Sequence, residues 1–457
     1  MNSDLFWLNG HNMLLLPILI AVILGTLRLF TKNRWMNWIE LLSMAFFTVI
    51  VLFFQRPAIF VVGGWSSAIG VEVKYDSISF WFIFSLLIVW SSVKMRFEKW
   101  EPSIESMLDY LFASMYALFI SNDLFNIYVT IELTSLISFL LVGHGKKPSR
   151  VWAALKYMLL SAVALNTYLF GTLIVYYGTG VLALGALKLE KIPEFGLALI
   201  LTALLVKSGI LGLSAWIVDA YSKSETPVSM VLSGIVVNAG IFAIIRIYDI
   251  LPSNLKTLVL VIGIISTFGG AIYAFGEKNF KRILAFSTTS QMGISLIVLG
   301  VSPIAAAIYA FFHSNTKALL FSKNGKISTT IGALSLAGMP PLAGYFAKIA
   351  IGESHPMVSI LITFVTSVYV ANLFGPDLKW KFSPFEIPLE FAILSLMFLI
   401  PFGGVMYTTE ILATIAIGIL VGKRISFPNF GDPFELEEGL AYQMAFLAIA
   451  ALTVVKW

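Results

Sequence analysis

Six ionisable side chains lie inside apolar runs that would ordinarily exclude them: Glu132, Lys156, Lys207, His313, Lys317 and Lys348. Glu132 stands in the middle of NIYVTIELTSLISFLLV, Lys156 in ALKYMLLSAV and Lys207 in LILTALLVKSGILGLSAW. His313 and Lys317 share IYAFFHSNTKALLF, four residues apart and so on one helix face. Lys348 falls near the end of AGMPPLAGYFAKIAIG. A charge at the centre of a bilayer costs about 2.5 to 3.5 kcal/mol, so those that persist pair up, face a bundle interior or line an ion path. A buried lysine can carry a proton, because an approaching carboxylate changes how tightly the ammonium holds it. Glu132 with Lys207 would make such a switchable pair. Lys156 near the start of one run, and Arg246 near the end of another, also suit structural pairing or snorkelling.

Helix breakers accompany two of the lysines. Gly209 and Gly212 follow Lys207, and Gly338, Pro340, Pro341 and Gly344 precede Lys348. At membrane depth irregular backbone survives only where it is buried in protein or lines a polar cavity. A lysine beside a discontinuous helix in each half of the chain is the arrangement expected of inverted-repeat transporters.

The elements that must position these residues follow from composition. The chain has 457 residues, 58% hydrophobic and 12% charged, against about 25% charged in soluble domains. That composition predicts an all-α, polytopic membrane bundle of about 14 to 16 transmembrane helices. Spanning runs fall near 12–30, 36–55, 77–94, 106–121, 124–142, 152–177, 196–216, 227–248, 256–275, 282–300, 303–321, 328–352, 357–374, 387–405, 408–422 and 439–456. The run at 408–422 is short enough to be re-entrant or interfacial.

Basic residues test this parsing, because they collect on the cytoplasmic side. Arg28/Lys32/Arg34, Lys94/Arg96/Lys99, Lys146/Lys147/Arg150, Lys278/Lys281/Arg282, Lys323/Lys326, Lys379/Lys381 and Lys423/Arg424 all fall on one face. The first run has no basic residue before it, which predicts a retained span with its N-terminus outside, in a cell (inner or plasma) membrane. The formal charge of +5 reflects these loops rather than nucleic-acid binding. With no cysteine the chain offers no thiolate for a cluster or zinc site, and its four histidines are scattered. No cofactor or metal site is therefore expected in this chain, and any electron transfer belongs to another.

Five stretches are similar to a known family. They are SNDLFNIYVTIELTSLISFLLV, KSGILGLSAWIVDAYSKSETPVSMVLSGIVVNAGIFAIIR, FGEKNFKRILAFSTTSQMG, HSNTKALLF and IGALSLAGMPPLAGYFAK, spread over roughly residues 76–375. Together they resemble the antiporter-like, proton-translocating membrane subunits of complex I, of Mrp antiporters (their large D-type component) and of membrane-bound hydrogenases and sulfane sulfur reductases. The resemblance implies two inverted five-helix repeats, each with a broken helix. The organisation expected is N-terminal helices over 1–105, a first half over 106–250, a second over 251–375 and docking helices over 376–457.

It also implies roles. Glu132 corresponds to the family's glutamate on the fifth helix, Lys207 to its lysine on the broken seventh, Lys317 to the central lysine of the second half and Lys348 to the terminal lysine. The chain would then translocate protons, or exchange sodium for protons, within a multisubunit respiratory complex. Iron–sulfur or other redox cofactors would sit in partner subunits, and the chain itself would not be the redox catalyst. Asp219 and Lys281 match motif positions at membrane edges, where loop packing is expected. Departures from the pattern are Asn238, where a lysine or histidine is usual, then Gly212, Ser214 and Val218 in the seventh-helix motif, and a short link from Ser322 to Ile331. Two other readings fit the composition: a non-conducting structural paralogue, and a stand-alone secondary transporter.

Overall fold

A computed structural model describes residues 10–31, 34–66, 70–96, 101–145, 147–322, 326–340, 342, 344–353, 355–374, 405–425, 441–445 and 448. The helices are α1 (Gly10–Phe30), α2 (Arg34–Phe54), α3 (Ser77–Arg96), α4 (Pro102–Ile120), α5 (Leu124–Gly143) and α6 (Pro148–Thr179). There follow the single turn α7 (Leu184–Leu187), α8 (Glu194–Lys207), α9 (Ala215–Lys223), α10 (Thr226–Val231) and α11 (Asn238–Ile247). The second half contains α12 (Ser253–Gly276), α13 (Phe280–Val301), α14 (Pro303–Ser322), α15 (Lys326–Ala337), α16 (Gly344–Gly352) and α17 (Pro356–Val370), and α18 (Val405–Arg424) lies beyond.

Among the described residues eight helices are long and apolar enough to cross a bilayer. α2, α4, α14 and α18 match them in length with 21, 19, 20 and 20 residues. The expected run 196–216 is the broken pair α8/α9, and 328–352 is the broken pair α15/α16. At 1.5 Å per residue α18 is about 30 Å long, which corrects the expectation of a short segment at 408–422. The expected run 387–405 lies outside the described residues except for its last, and 439–456 lies mostly outside them.

Burial ranks the helices from centre to edge. The apolar centre of Thr226–Ile250 is wholly buried and that of Phe280–Val301 is 94% buried, so these form the axis of the bundle. The first span is only 28% buried and stands at the periphery. Small residues let central helices approach closely. A Cβ at Gly263 or Gly293 would press on the other's carbonyl, drawing α12 onto α13 as membrane helices without a hydrophobic driving force require.

One end carries a small hairpin that the run pattern did not foresee. β1 (Ala58–Val61) pairs antiparallel with β2 (Glu72–Tyr75). It is fastened to neighbouring loops: Asn122 donates from its backbone to Glu72 O at 3.0 Å, and Leu184 N donates to Asn122 O at 2.9 Å. Arg246 forks onto Asp76 at 2.6 and 3.1 Å and onto Ser79 Oγ at 2.6 Å, a structural pairing. Burial opposes ionisation of Asp76, but the Arg246 guanidinium overrides it and holds the carboxyl at about 2.

The opposite end gathers basic loops. Arg150 pairs with Glu225 at 2.6 Å, and Arg282 with Glu277 at 2.6 Å. Burial raises Glu277, yet the Arg282 guanidinium and backbone N–H groups of Lys278 and Asn279 leave its carboxyl below the ordinary value. Lys281 Nζ donates to Ser224 O at 2.8 Å and Ser229 Oγ at 3.1 Å, a loop-packing role as expected.

Candidate functional site

Lys207 is the last residue of α8, where the backbone leaves the helix. Gly209 and Gly212 have φ of 67° and 82°, the left-handed conformation that side-chain-bearing residues avoid. At Gly209 a Cβ would also collide with Ile217. The break is satisfied locally: Trp216 Nε1 donates to Val206 O at 2.9 Å, and Leu211 N to Ser266 Oγ at 3.0 Å.

Lys207 Nζ donates to Ser135 Oγ on α5 at 2.7 Å, Ser161 Oγ on α6 at 2.8 Å and Tyr157 OH at 3.4 Å. It also lies 4.9 Å from the Tyr157 ring centroid and 5.6 Å from that of Trp216. Those two rings stack at 4.6 Å. All three ammonium donors are thus occupied by hydroxyls, with aromatic faces completing the nest and no carboxylate among the described residues in hydrogen-bond range.

Glu132 is elsewhere. It is exposed on the outer face of α5 together with Val129, Leu133 and Leu136. The expected Glu132–Lys207 pair does not form in this arrangement. Ser135, three residues further on, meets the lysine instead; three residues advance a helix by about 300°, which leaves Glu132 about 60° round and nearly a turn away.

Lys156 forms an ion pair with Asp219 of α9 at 3.0 Å, and both side chains are largely buried. Asp219 therefore does more than pack a loop. It balances a lysine whose chain neighbour, Tyr157, holds Lys207.

The second half repeats the theme of lysines among neutral oxygens. Lys317, fully buried, donates to Leu284 O at 2.9 Å and to Ser287 Oγ on α13. His313 is buried one turn earlier, and both its ring nitrogens lack a hydrogen-bond partner among the described residues. Lys348 is buried on α16, on the far side of its break, and donates to Ala337 O and to Thr366 Oγ1 on α17 at 3.0 Å. Gly338 has φ of 81°, and a Cβ there would overlap the Lys348 side chain.

Asn238 joins the two halves. It follows a single π-helical turn, Leu232–Val236, a distortion that commonly marks functional positions. Its Nδ2 donates to Ser314 Oγ, beside His313, and to Gly234 O at 3.3 Å. Two residues on, Gly240 abuts Ser208, the neighbour of Lys207. Asn238 Oδ1, Asn315 Oδ1 and Thr289 Oγ1 are buried without a hydrogen-bond partner among the described residues, like the His313 nitrogens. Buried polar atoms of this kind are where ordered water binds.

Five of the six ionisable residues singled out in the runs therefore lie buried, and Glu132 does not. The reading of runs missed Ser135, Tyr157, Ser161, Trp216, Ser287, Ser314 and Thr366. Tyr157 and Ser161, four residues apart and hence on one face of an otherwise apolar helix, carried a usable signal.

The family model described as NADH:quinone oxidoreductase/Mrp antiporter, TM, matches residues 121–330, a segment that holds every residue above except Ala337, Gly338, Lys348 and Thr366. The D-type component of the Na(+)/H(+) antiporter of Alkalihalophilus pseudofirmus is 25% identical over 415 residues, covering 79% of this chain and 82% of the relative. NADH-ubiquinone oxidoreductase chain 5 of Sus scrofa is 26% identical over 419 residues, 79% of this chain and 68% of the relative. Among solved structures, a chain of the membrane-bound sulfane sulfur reductase, an archaeal respiratory membrane complex, shares the fold with a TM-score of 0.74 at 20% identity, over 91% of this chain and 98% of that one. The matched segment, the relatives and the shared fold make this chain similar to the antiporter-like subunits of NADH:quinone oxidoreductases and Mrp antiporters, and its long apolar helices mark it as a multi-pass membrane protein.

Proposed function

We propose that this chain translocates protons, or exchanges sodium for protons, as an antiporter-like subunit of a multisubunit respiratory membrane complex whose redox chemistry resides in partner chains. The observation that carries this reading is the buried line from Lys207 through Asn238 and Ser314 to His313, Lys317 and Lys348. Among the described residues Lys207 and Lys317 are held by hydroxyl or carbonyl oxygens, with no carboxylate in hydrogen-bond range. An ammonium held by neutral acceptors can lose its proton without stranding a paired anion, which suits a relay.

Glu132 supplies the input. A carboxylate on the outer face of a membrane helix is costly against lipid, which supports a neighbouring subunit seated there. Charge movement in that neighbour would draw Glu132 toward or away from the Lys207 nest, and a coupling of about 1 to 3 kcal/mol between such sites is usual. The N-terminus would lie outside, opposite the basic loops. The presence of Lys207, Lys317 and Lys348 on the buried line speaks against a non-conducting paralogue.

The test is ion movement in sealed vesicles carrying the intact complex with its redox reaction running, comparing native protein with Lys207→Ala after verifying assembly in both. Transport is expected to fall about tenfold or more, the equivalent of about 1.4 kcal/mol in barrier height. Undiminished transport in an assembled variant would place conduction in another subunit.

A further inference from the structure

We propose a second site, separate from the central line: Glu40, Lys94 and Asp109 hold one exchangeable monovalent cation, a proton or a sodium ion, between α2, α3 and α4. These helices precede the segment that the family model matches. Glu40 lies in the second turn of α2, Lys94 in the last turn of α3 and Asp109 in the second turn of α4, all at the end where the basic loops gather.

Both carboxylates are 0% exposed, and the lysine side chain is 3% exposed. Lys94 Nζ is 3.0 Å from Glu40 Oε2 and 2.8 and 2.9 Å from the two oxygens of Asp109. Its third contact is the backbone oxygen of Glu105 at 3.3 Å. An ammonium has three N–H donors, and these three acceptors use them. Glu40 Oε1 is left accepting no hydrogen bond from the described residues, while Asp109 Oδ1 lies against the Lys94 ammonium at 2.8 Å.

The charge inventory gives the same result. Two buried carboxylates face one buried ammonium, an excess of one negative charge. Among the described residues the other charged groups beside them are Arg28 of α1 and Glu105 of α4, which form an ion pair. The indole of Trp90, whose centroid is 5.6 Å from Lys94 Nζ, brings no further charge, and its buried Nε1 has no partner among the described residues. A net anion sealed from water is costly, whereas a proton on one carboxyl, or a sodium ion beside Glu40 Oε1, neutralises it.

The experiment uses the full chain purified with the subunits that accompany it. Infrared spectra are recorded in light and heavy water across pH, and radiolabelled sodium binding is measured in parallel. If the cation is a proton, a protonated-carboxyl stretch that shifts in heavy water is present in native protein and lost in both Glu40→Gln and Asp109→Asn. If it is sodium, the same two variants each lose one bound sodium per chain. Lys94→Met, which strips the site's ammonium, is expected to take up one cation more than native protein. Should one variant fail to fold, the other two still decide. The proposal is overturned if folded variants show the native infrared band and the native sodium stoichiometry.

Discussion

Asn238 is the residue on which the proposed relay turns. An amide cannot ionise, yet its Nδ2 bonds Ser314 Oγ beside His313 while its Oδ1 accepts nothing from the described residues. An oxygen so placed can hold a water that links the Lys207 side to the Lys317 side, so a fixed charge carrier is not required there. Asn238→Leu, close in size but apolar, removes both functions. Ion transport is expected to fall about tenfold, a barrier change of about 1.4 kcal/mol, with assembly retained. Unchanged transport in vesicles would mean that ions cross between halves elsewhere. Lys156 carries a second residue-scale lesson: its pairing with Asp219 could not be read from two stretches 63 residues apart.

At the scale of elements, the two broken helices are the devices that bring lysines inside without stranding backbone groups, and the glycines that permit the breaks were visible in sequence. The clasp at the hairpin end was not. Arg246 of α11 and Asp76 before α3 are separated by 170 positions and meet only after folding. Asp76 has a folded value of about 2 against an ordinary value near 3.9, so its ionisation stabilises the fold above the ordinary value and that contribution disappears as pH falls from about 5 to about 2. The contribution is on the order of 2 kcal/mol. Asp76→Asn is therefore expected to lower the unfolding temperature at neutral pH, with the gap to native protein closing on acidification. A gap that stays constant across that range would show that the carboxylate's charge is not what matters.

For the whole molecule, assembly turns on what covers α5. Phe125, Val129, Leu133, Leu136 and Leu140 form an exposed apolar face, and Glu132 sits within it. The chain has no cysteine, so a thiol introduced by Glu132→Cys is the only one present. In the isolated chain it is expected to react readily with a membrane-permeant maleimide, and in the intact complex to be protected. Equal labelling in both would leave this face to lipid and remove Glu132 from any contact between subunits.

The sequence by itself determined that the chain crosses a membrane many times, which loops share a face, where two helices break, and which cations lie within apolar runs. These properties are local: they depend on the hydropathy of a window, the spacing of a helix turn and the φ that glycine alone adopts. Only the tertiary structure decided that Glu132 faces outward while Ser135 meets Lys207, that Asp219 balances Lys156, and that Asn238 touches Ser314. It also brought Glu40, Lys94 and Asp109 together from three helices. The physical reason is that a buried charge is stabilised by partners supplied from distant segments, and the rotation of each helix about its own axis, set by packing, chooses those partners.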